Sequence, residues 1–263
     1  YSGHMWQNNL EAATPITPDP DAKEVNNDDT AHPGQLIYTF HIPPTSISSP
    51  GNNTHMLKQT ITITAGSWKI LCGAGEIRNV TTTEQRINTD VVGTVTLFSP
   101  INQATYTVES EISEMTPAAE KQKAGNYREQ IKNSYLQIPA ISDTDLQALK
   151  DLAVSITAKE TTGYGKAKAI EAWIGQNCKY NLNAPVIPAT QDAAATFLLK
   201  NRQGYCDVFA TGIAVLARLS GLPARVANGY TSGEWDDKNS EYVVRDKDRH
   251  LWAEIYFPEA GWQ

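Results

Sequence analysis

The sequence predicts an α+β chain in which a small β-rich domain precedes a core of helices followed by an antiparallel sheet. Three observations carry this. Residues 35–112 alternate apolar and polar side chains with period two and are rich in Thr and Val. From Ser142 to Leu219 the apolar spacing becomes helical. After Gly221 and Pro223 the pattern returns to strands, so helices and strands are segregated, as in α+β folds, and do not alternate.

Residues 1–34 read as a cloning remnant, Tyr1-Ser2-Gly3-His4-Met5, followed by a Pro- and Asp-rich linker. Asp19, Asp21, Asp28 and Asp29 lack the spacing of a calcium loop and read as a solvated tether. In 35–112, Leu36, Tyr38, Phe40 and Ile42 alternate, as do Gln59, Ile61 and Ile63. Val95 and Leu97 continue the pattern, and Ala104, Tyr106, Val108, Ser110 and Ile112 close it. The expectation is an antiparallel β domain, a sandwich. His32, His41 and His55 show no ligand spacing and no Cys partner, so they read as surface or strand histidines. Residues 113–140 connect the halves. Met115 to Tyr135 is polar and partly helical, and Tyr135-Leu136-Gln137-Ile138-Pro139 is expected to be extended, since the residue before proline avoids the helical region.

Residues 141–263 form the expected core. Ser142 caps a helix over Asp145, with Leu146, Leu149, Leu152, Ala153 and Ile156 on one face. A second helix runs from about Tyr164 to Asn177, with Ala167, Ile170, Trp173 and Ile174 inward, and a short third spans Asp192 to Lys200. A fourth begins near Cys206, with Phe209, Ile213, Leu216 and Leu219 as its buried stripe, and ends at Gly221 and Pro223. Strands follow at Ala224–Tyr230, Glu241–Arg245 and His250–Phe257, with a polar hairpin or loop from Thr231 to Ser240.

The chain has 263 residues, 40% hydrophobic and 19% charged, with a formal net charge of −7. It has no basic tract, which excludes nucleic acid as an expected partner because phosphate binding needs clustered Lys and Arg. No apolar run reaches the roughly 18 residues of a membrane helix, and no secretory leader is visible. No ligand cluster implies a metal or other cofactor. The three cysteines are Cys72, Cys178 and Cys206. Cys72 and Cys178 read as free thiols, with a disulfide between them as the alternative.

The chemistry concentrates on Cys206 and His250. A thiol becomes a strong nucleophile only when its proton is withdrawn, and a helix N-terminus and an imidazole both do this. Cys206 opens an apolar helix, where unpaired backbone N–H groups favour the anion and can also stabilise an oxyanion. Gly204 lets the chain turn tightly into that helix. His250 is the only histidine after position 55. Its strand sets His250, Trp252, Glu254 and Tyr256 on one face, expected to be a cleft wall, and Leu251, Ala253, Ile255 and Phe257 on the other, expected to be core. Tyr205 and Trp252 flank this cleft as candidate substrate-binding residues, with rim packing as the plainer alternative. Glu254 is expected to pair with a base. Cys178 falls at a helix end, where the dipole disfavours the thiolate, so it reads as structural.

These residues resemble the transglutaminase-like superfamily. The matching pieces are Gly204-Tyr205-Cys206 with Phe209-Ala210, Ala217 to Val226, Gly229-Tyr230, Tyr242-Val243-Val244, and His250 to Pro258 with Gly261-Trp262. Together they cover roughly residues 164–262. Tyr135 to Pro139 and Lys166 to Trp173 resemble a bacterial subgroup. The resemblance implies a papain-like fold for 141–263 and a Cys, His, Asp triad with Cys206 as nucleophile and His250 as base. It also implies an extracytoplasmic domain of a membrane-anchored parent. The family's aspartate lies a few residues beyond the Gly-Trp pair, a position this chain does not include. Asp246 and Asp248 do not match it. On this reading the piece is expected to be slowed or inactive, since an unoriented imidazole costs about 10²- to 10⁴-fold.

The implied reaction is acyl transfer from a glutamine carboxamide, or from a peptide amide, through a thioester on Cys206, with protein or peptide substrates. Transamidation, deamidation and proteolysis share that thioester, and the residues leave all three open. A cell-envelope peptidase and a non-enzymatic envelope binding module are the alternatives.

Overall fold

The computed structural model describes residues 14–18, 23–24, 36–44, 53–90, 92–138 and 140–263. The remnant at 1–5, the acidic cluster, His32 and Pro139 lie outside them. The chain forms two units, one within Asn8–Glu114 and one comprising Met115–Pro258 and Trp262–Gln263.

The first unit is all strand. β1 (Thr14–Ile16), β5 (Trp68–Ile70), β7 (Ile87–Thr89) and β8 (Val95–Ile101) form one antiparallel sheet in the order β1-β7-β8-β5. β2 (Lys23–Glu24), β3 (Leu36–His41), β4 (Thr54–Ile63), β6 (Glu76–Thr82) and β9 (Ala104–Ser113) form a second, in the order β2-β3-β6-β9-β4. Phe40, Val80, Tyr106 and Val108 of one sheet share a buried cluster with Ile87, Val95 and Leu97 of the other. Two sheets that share one core make a sandwich. β6 escapes the period-two reading because charged Glu76 and Arg78 occupy its sequence. Arg78 is held by Glu76 at 2.8 Å and by Glu111 at 2.7 Å. His41 meets Asn79 Oδ1 at 2.6 Å and His55 meets Glu114 at 3.2 Å.

The second unit opens with α1 (Pro117–Glu120) and α2 (Glu129–Tyr135). Tyr135 closes α2 and is not extended, because its buried ring packs edge-on against Trp262 with centroids 4.6 Å apart. α3 (Asp143–Thr157) starts where Ser142 Oγ accepts the Asp145 N–H at 3.2 Å, and α4 (Gly163–Asn177) where Thr162 Oγ1 accepts the Gly165 N–H at 3.0 Å. Such caps contribute about 1 kcal/mol each. β10 (Lys179–Tyr180) follows, then α5 (Ala193–Ala195), which runs into one π-helical turn at Thr196–Asn201, then β11 (Gln203–Gly204).

α6 (Cys206–Leu219) is the centre of the unit. It packs against α3, α4, β12 (Ala224–Tyr230) and β15 (Arg249–Phe257). Its burial departs from the expected stripe. Ala210, Thr211, Gly212 and Ala214 to Arg218 are all buried, whereas Phe209, Ile213 and Leu219 are only half-buried. A helix enclosed on most sides has no single wet face, so spacing alone misassigns its stripe. Gly221, at φ +79°, takes the left-handed conformation that ends the helix. Arg218, buried on the last turn, donates to Ala224 O at 2.9 and 2.6 Å and to Gln137 O at 2.8 Å.

β12 and β15 pair antiparallel from Ala224↔Ile255 to Tyr230↔Arg249, and β16 (Gly261–Trp262) completes that sheet beside β15. The polar stretch after β12 is a hairpin of β13 (Glu234–Asp236) and β14 (Glu241–Val243). The inward and outward faces of β15 are less distinct than alternation suggests. Tyr256, on the expected cleft face, is 2% exposed and packs on Trp262 at 5.4 Å.

Candidate active site

Connectivity brings Cys206 and His250 to one edge. The loop that leaves α6 meets the C-terminal end of β15, where the Tyr256 N–H donates to Pro223 O at 2.9 Å. α6 reverses into β12, and β12 pairs antiparallel with β15, so α6 and β15 run the same way. Back from that junction, the helix reaches Cys206 after about 20 Å at 1.5 Å per residue. The strand reaches His250 after six residues, again about 20 Å. Matched lengths put both residues at the same end of the helix–sheet layer.

Cys206 is the first residue of α6 and is half-buried. Tyr205, the extended N-cap, provides no side-chain cap. Gly204 is buried, and a β-carbon there would lie 2.2 Å from Val208 Cγ2, so only glycine fits this entry to the helix. The Val208 N–H donates to Asp207 Oδ1 at 2.6 Å. Burial pushes the Asp207 carboxyl above the usual carboxylate range, against the pull of the Val208 and Asp207 N–H groups and the Tyr205 hydroxyl. The Asp207 charge in turn raises the Tyr205 phenol.

Tyr180 is the residue that sequence reasoning missed. β10 pairs parallel with β11 at Tyr180↔Gly204, and the Asn181 N–H donates to Gly204 O at 2.7 Å. This registry lays Tyr180 beside Cys206. Its phenol is raised by burial first and by the neighbouring Cys206 second. Its ring packs on Phe209 at 5.5 Å, and Phe209 on buried Phe197 at 4.9 Å. The only sequence signal was an aromatic just after a helix, which is shared by ordinary packing residues.

On β15, the His250 ring stacks on Trp252 at 20° with centroids 6.3 Å apart. The Trp252 Nε1–H donates to Glu254 Oε1 at 3.1 Å, and Glu254 Oε2 accepts from Arg225 Nε at 2.7 Å. Arg225 lies 4.2 Å above the Trp262 ring centroid. Glu254 thus has the basic partner expected of it, and the chain Arg225-Glu254-Trp252 fixes the surface on which His250 rests. Tyr205 and Trp252 are 39% and 36% exposed, so both present ring area to solvent at this edge.

All three cysteines are free thiols. Cys178 caps the C-terminal end of α4, where burial raises its thiol against the opposing charge of Arg202. Burial also raises Cys72. Among the described residues no cluster of His, Cys, Asp and Glu is arranged to hold a metal, and no helix is long and apolar enough to cross a membrane.

Residues 150–263 match the family model of the transglutaminase-like superfamily. Protein YebA of Bacillus subtilis, described as uncharacterized, is 30% identical over 198 residues, which is 68% of this chain and 26% of that protein. A protein-glutamine gamma-glutamyltransferase of Pseudomonas aeruginosa is 37% identical over 83 residues, 32% of this chain and 12% of that protein. The chain therefore spans about a quarter or less of either relative's length. In fold it is similar to the crystal structure of the periplasmic domain of TgpA from Pseudomonas aeruginosa bound to ethylmercury. The TM-score is 0.60 at 22% identity, covering 81% of this chain and 72% of that one. A second crystal structure of that domain gives 0.54 at 19% identity, covering 99% and 81%. The α+β class, with a β-rich part before a papain-like core, is thus shared with solved relatives. Residues 150–263 of this chain thus match the transglutaminase-like superfamily, and the chain is similar in sequence and fold to bacterial proteins that include a protein-glutamine gamma-glutamyltransferase.

Proposed function

We propose that this chain is the extracytoplasmic domain of a membrane-anchored protein and transfers acyl groups from glutamine carboxamides through a thioester on Cys206. The single observation that carries the reading is the shared edge: a thiol at the first residue of a buried helix, and the sole imidazole of the C-terminal unit at the start of the parallel strand. The similarity to a glutamine gamma-glutamyltransferase and to a periplasmic domain supports the substrate and the compartment.

In this mechanism His250 takes the thiol proton and the Cys206 sulfur attacks the carboxamide carbon. The new S–C bond leaves a tetrahedral oxyanion. The Cys206 backbone N–H, at the N-terminus of α6, and the hydroxyl of neighbouring Tyr180 are its donors. Imidazolium returns the proton to the departing nitrogen, ammonia leaves, and the thioester remains. A lysine amine then attacks the thioester, His250 takes its proton, and an isopeptide bond forms as the thiol is restored. Water in place of the amine gives glutamate.

The test is mass analysis of the chain incubated with a glutamine peptide and a primary amine. The reading expects a Cys206-linked acyl adduct with loss of ammonia, and an amine-conjugated peptide. Cleaved peptide without ammonia would select the peptidase alternative. No adduct and no product, in a chain that includes the whole domain, would favour the binding module.

A further inference from the structure

We propose that the β13–β14 hairpin is a specificity element, and that Trp235 and Tyr242 grip apolar side chains of an extended polypeptide next to the reacting glutamine. This rests on the acyl-transfer reading and names the substrate class of that site. The hairpin is inserted between the two strand ends that meet at His250. Gly229 pairs with His250, Tyr230 with Arg249, and the Thr231 N–H donates to Asp248 O at 2.9 Å. It is tied down there, since Glu234 accepts from Arg245 at 2.9 Å and from Lys247 at 2.7 Å. Lys247 first, and then Arg245, holds the Glu234 carboxyl below its usual range.

Trp235 and Tyr242 pack edge to face, with centroids 4.9 Å apart, yet stay 50% and 61% exposed. Two fixed aromatic rings left in water stand ready for a ligand. They are not isolated. Of the nine large hydrophobic side chains exposed among the described residues of the C-terminal unit, eight lie in stretches 180–186, 205 and 235–252, which carry or adjoin Cys206 and His250. Tyr180, which pairs with Gly204, and Tyr205, the N-cap before Cys206, lie on the thiol side, and Leu182 and Val186 follow Tyr180 in the chain. Trp235, Tyr242, Val244 and Trp252 belong to the imidazole side. Of the nine, only Val154 lies in a different stretch of the sequence.

The chemistry selects the occupant. Leu182, Val186 and Val244 have no hydrogen-bonding atoms for sugar hydroxyls, and the Trp235 Nε1–H is already donated to Asp237 at 2.8 Å. Residues 231–249 carry six carboxylates against four cations, which disfavours an anionic lipid surface. Apolar side chains on both sides of a glutamine fit a surface that is apolar on both sides of the catalytic pair.

The test uses two glutamine peptides that differ only in flanking residues, Leu and Phe in one and Ser and Gly in the other. Binding is measured to the full chain carrying Cys206→Ala, and acylation to the unaltered chain. The apolar-flanked peptide should bind about 10-fold tighter, and the preference should fall toward one when Trp235→Ala and Tyr242→Ala are added. Equal affinities, or a GlcNAc tetramer that binds where neither peptide does, would overturn the inference whatever the chemistry does. A tenfold binding preference with no acylation of Cys206, in a chain that includes the whole domain, would leave the inference standing and overturn the acyl-transfer reading.

Discussion

Gly229 leaves the space that the Trp252 indole fills: a β-carbon at Gly229 would lie 2.9 Å from Cη2 and 3.3 Å from Cζ3 of that ring. The same indole carries the stacked His250. Gly229→Ala should therefore displace the indole and the imidazole resting on it. Because Trp252 is partly exposed and can yield, stability should change by less than about 1 kcal/mol. Single-turnover acylation should slow about 10-fold, since misplacing a catalytic group is costly. A thermal melt beside an acylation time course checks both.

Tyr180→Phe removes the hydroxyl neighbouring Cys206 while keeping the ring on Phe209. Acylation by a glutamine peptide should fall by about 10²-fold, the usual cost of one oxyanion donor. Alkylation of Cys206 by iodoacetamide should not fall with it, since alkylation develops no oxyanion. Measuring both rates on one preparation separates an oxyanion role from a disturbed helix.

Asp207 gives a pH dependence. Burial raises its folded pKa above the unfolded value, so the folded chain holds this proton more tightly than the unfolded chain does. The ionised form therefore costs stability above the folded pKa. That cost fades as pH falls through it and is absent below about pH 3, where the carboxyl is protonated in both states. Asp207→Asn keeps an acceptor for the Val208 N–H and should raise Tm by a few degrees at pH 7, with the difference vanishing at low pH. Paired melts across that range decide it.

Arg218→Met tests the helix–sheet joint. The guanidinium is buried, its pKa is lowered to about 10 by that burial, and it satisfies Ala224 O and Gln137 O. Methionine fills similar space but orphans both carbonyls, which should cost about 3 kcal/mol in denaturant unfolding.

What was legible in the sequence follows from where the signal resides. β12, at Ala224–Tyr230, and α4, within one residue of expectation, have local patterns and sharp terminators in Gly221, Pro223 and Thr162. Cys206 and His250 stand at the starts of such elements, which is why the sequence marks them as candidates. Tyr180 was not, because a two-residue strand has no period and its partner, Gly204, is distant in sequence. The burial of α6 was misread because Ala210, Gly212, Ala214 and Ala217 admit neighbours on faces that a hydrophobic stripe leaves out. β6 was hidden because its Arg78 is paired with Glu111, on another strand. Tyr135 was assigned by the proline downstream, whereas its packing on Trp262 decides its conformation.

The most direct measurement is the rate at which iodoacetamide modifies each cysteine at about pH 6, well below the ordinary thiol pKa. If an activated sulfur and the lone imidazole of this unit work as one pair, Cys206 reacts at least about 10-fold faster than Cys72 and Cys178, and His250→Ala brings it down to their rate. Three equal rates, or a fast Cys206 indifferent to His250, would contradict the account.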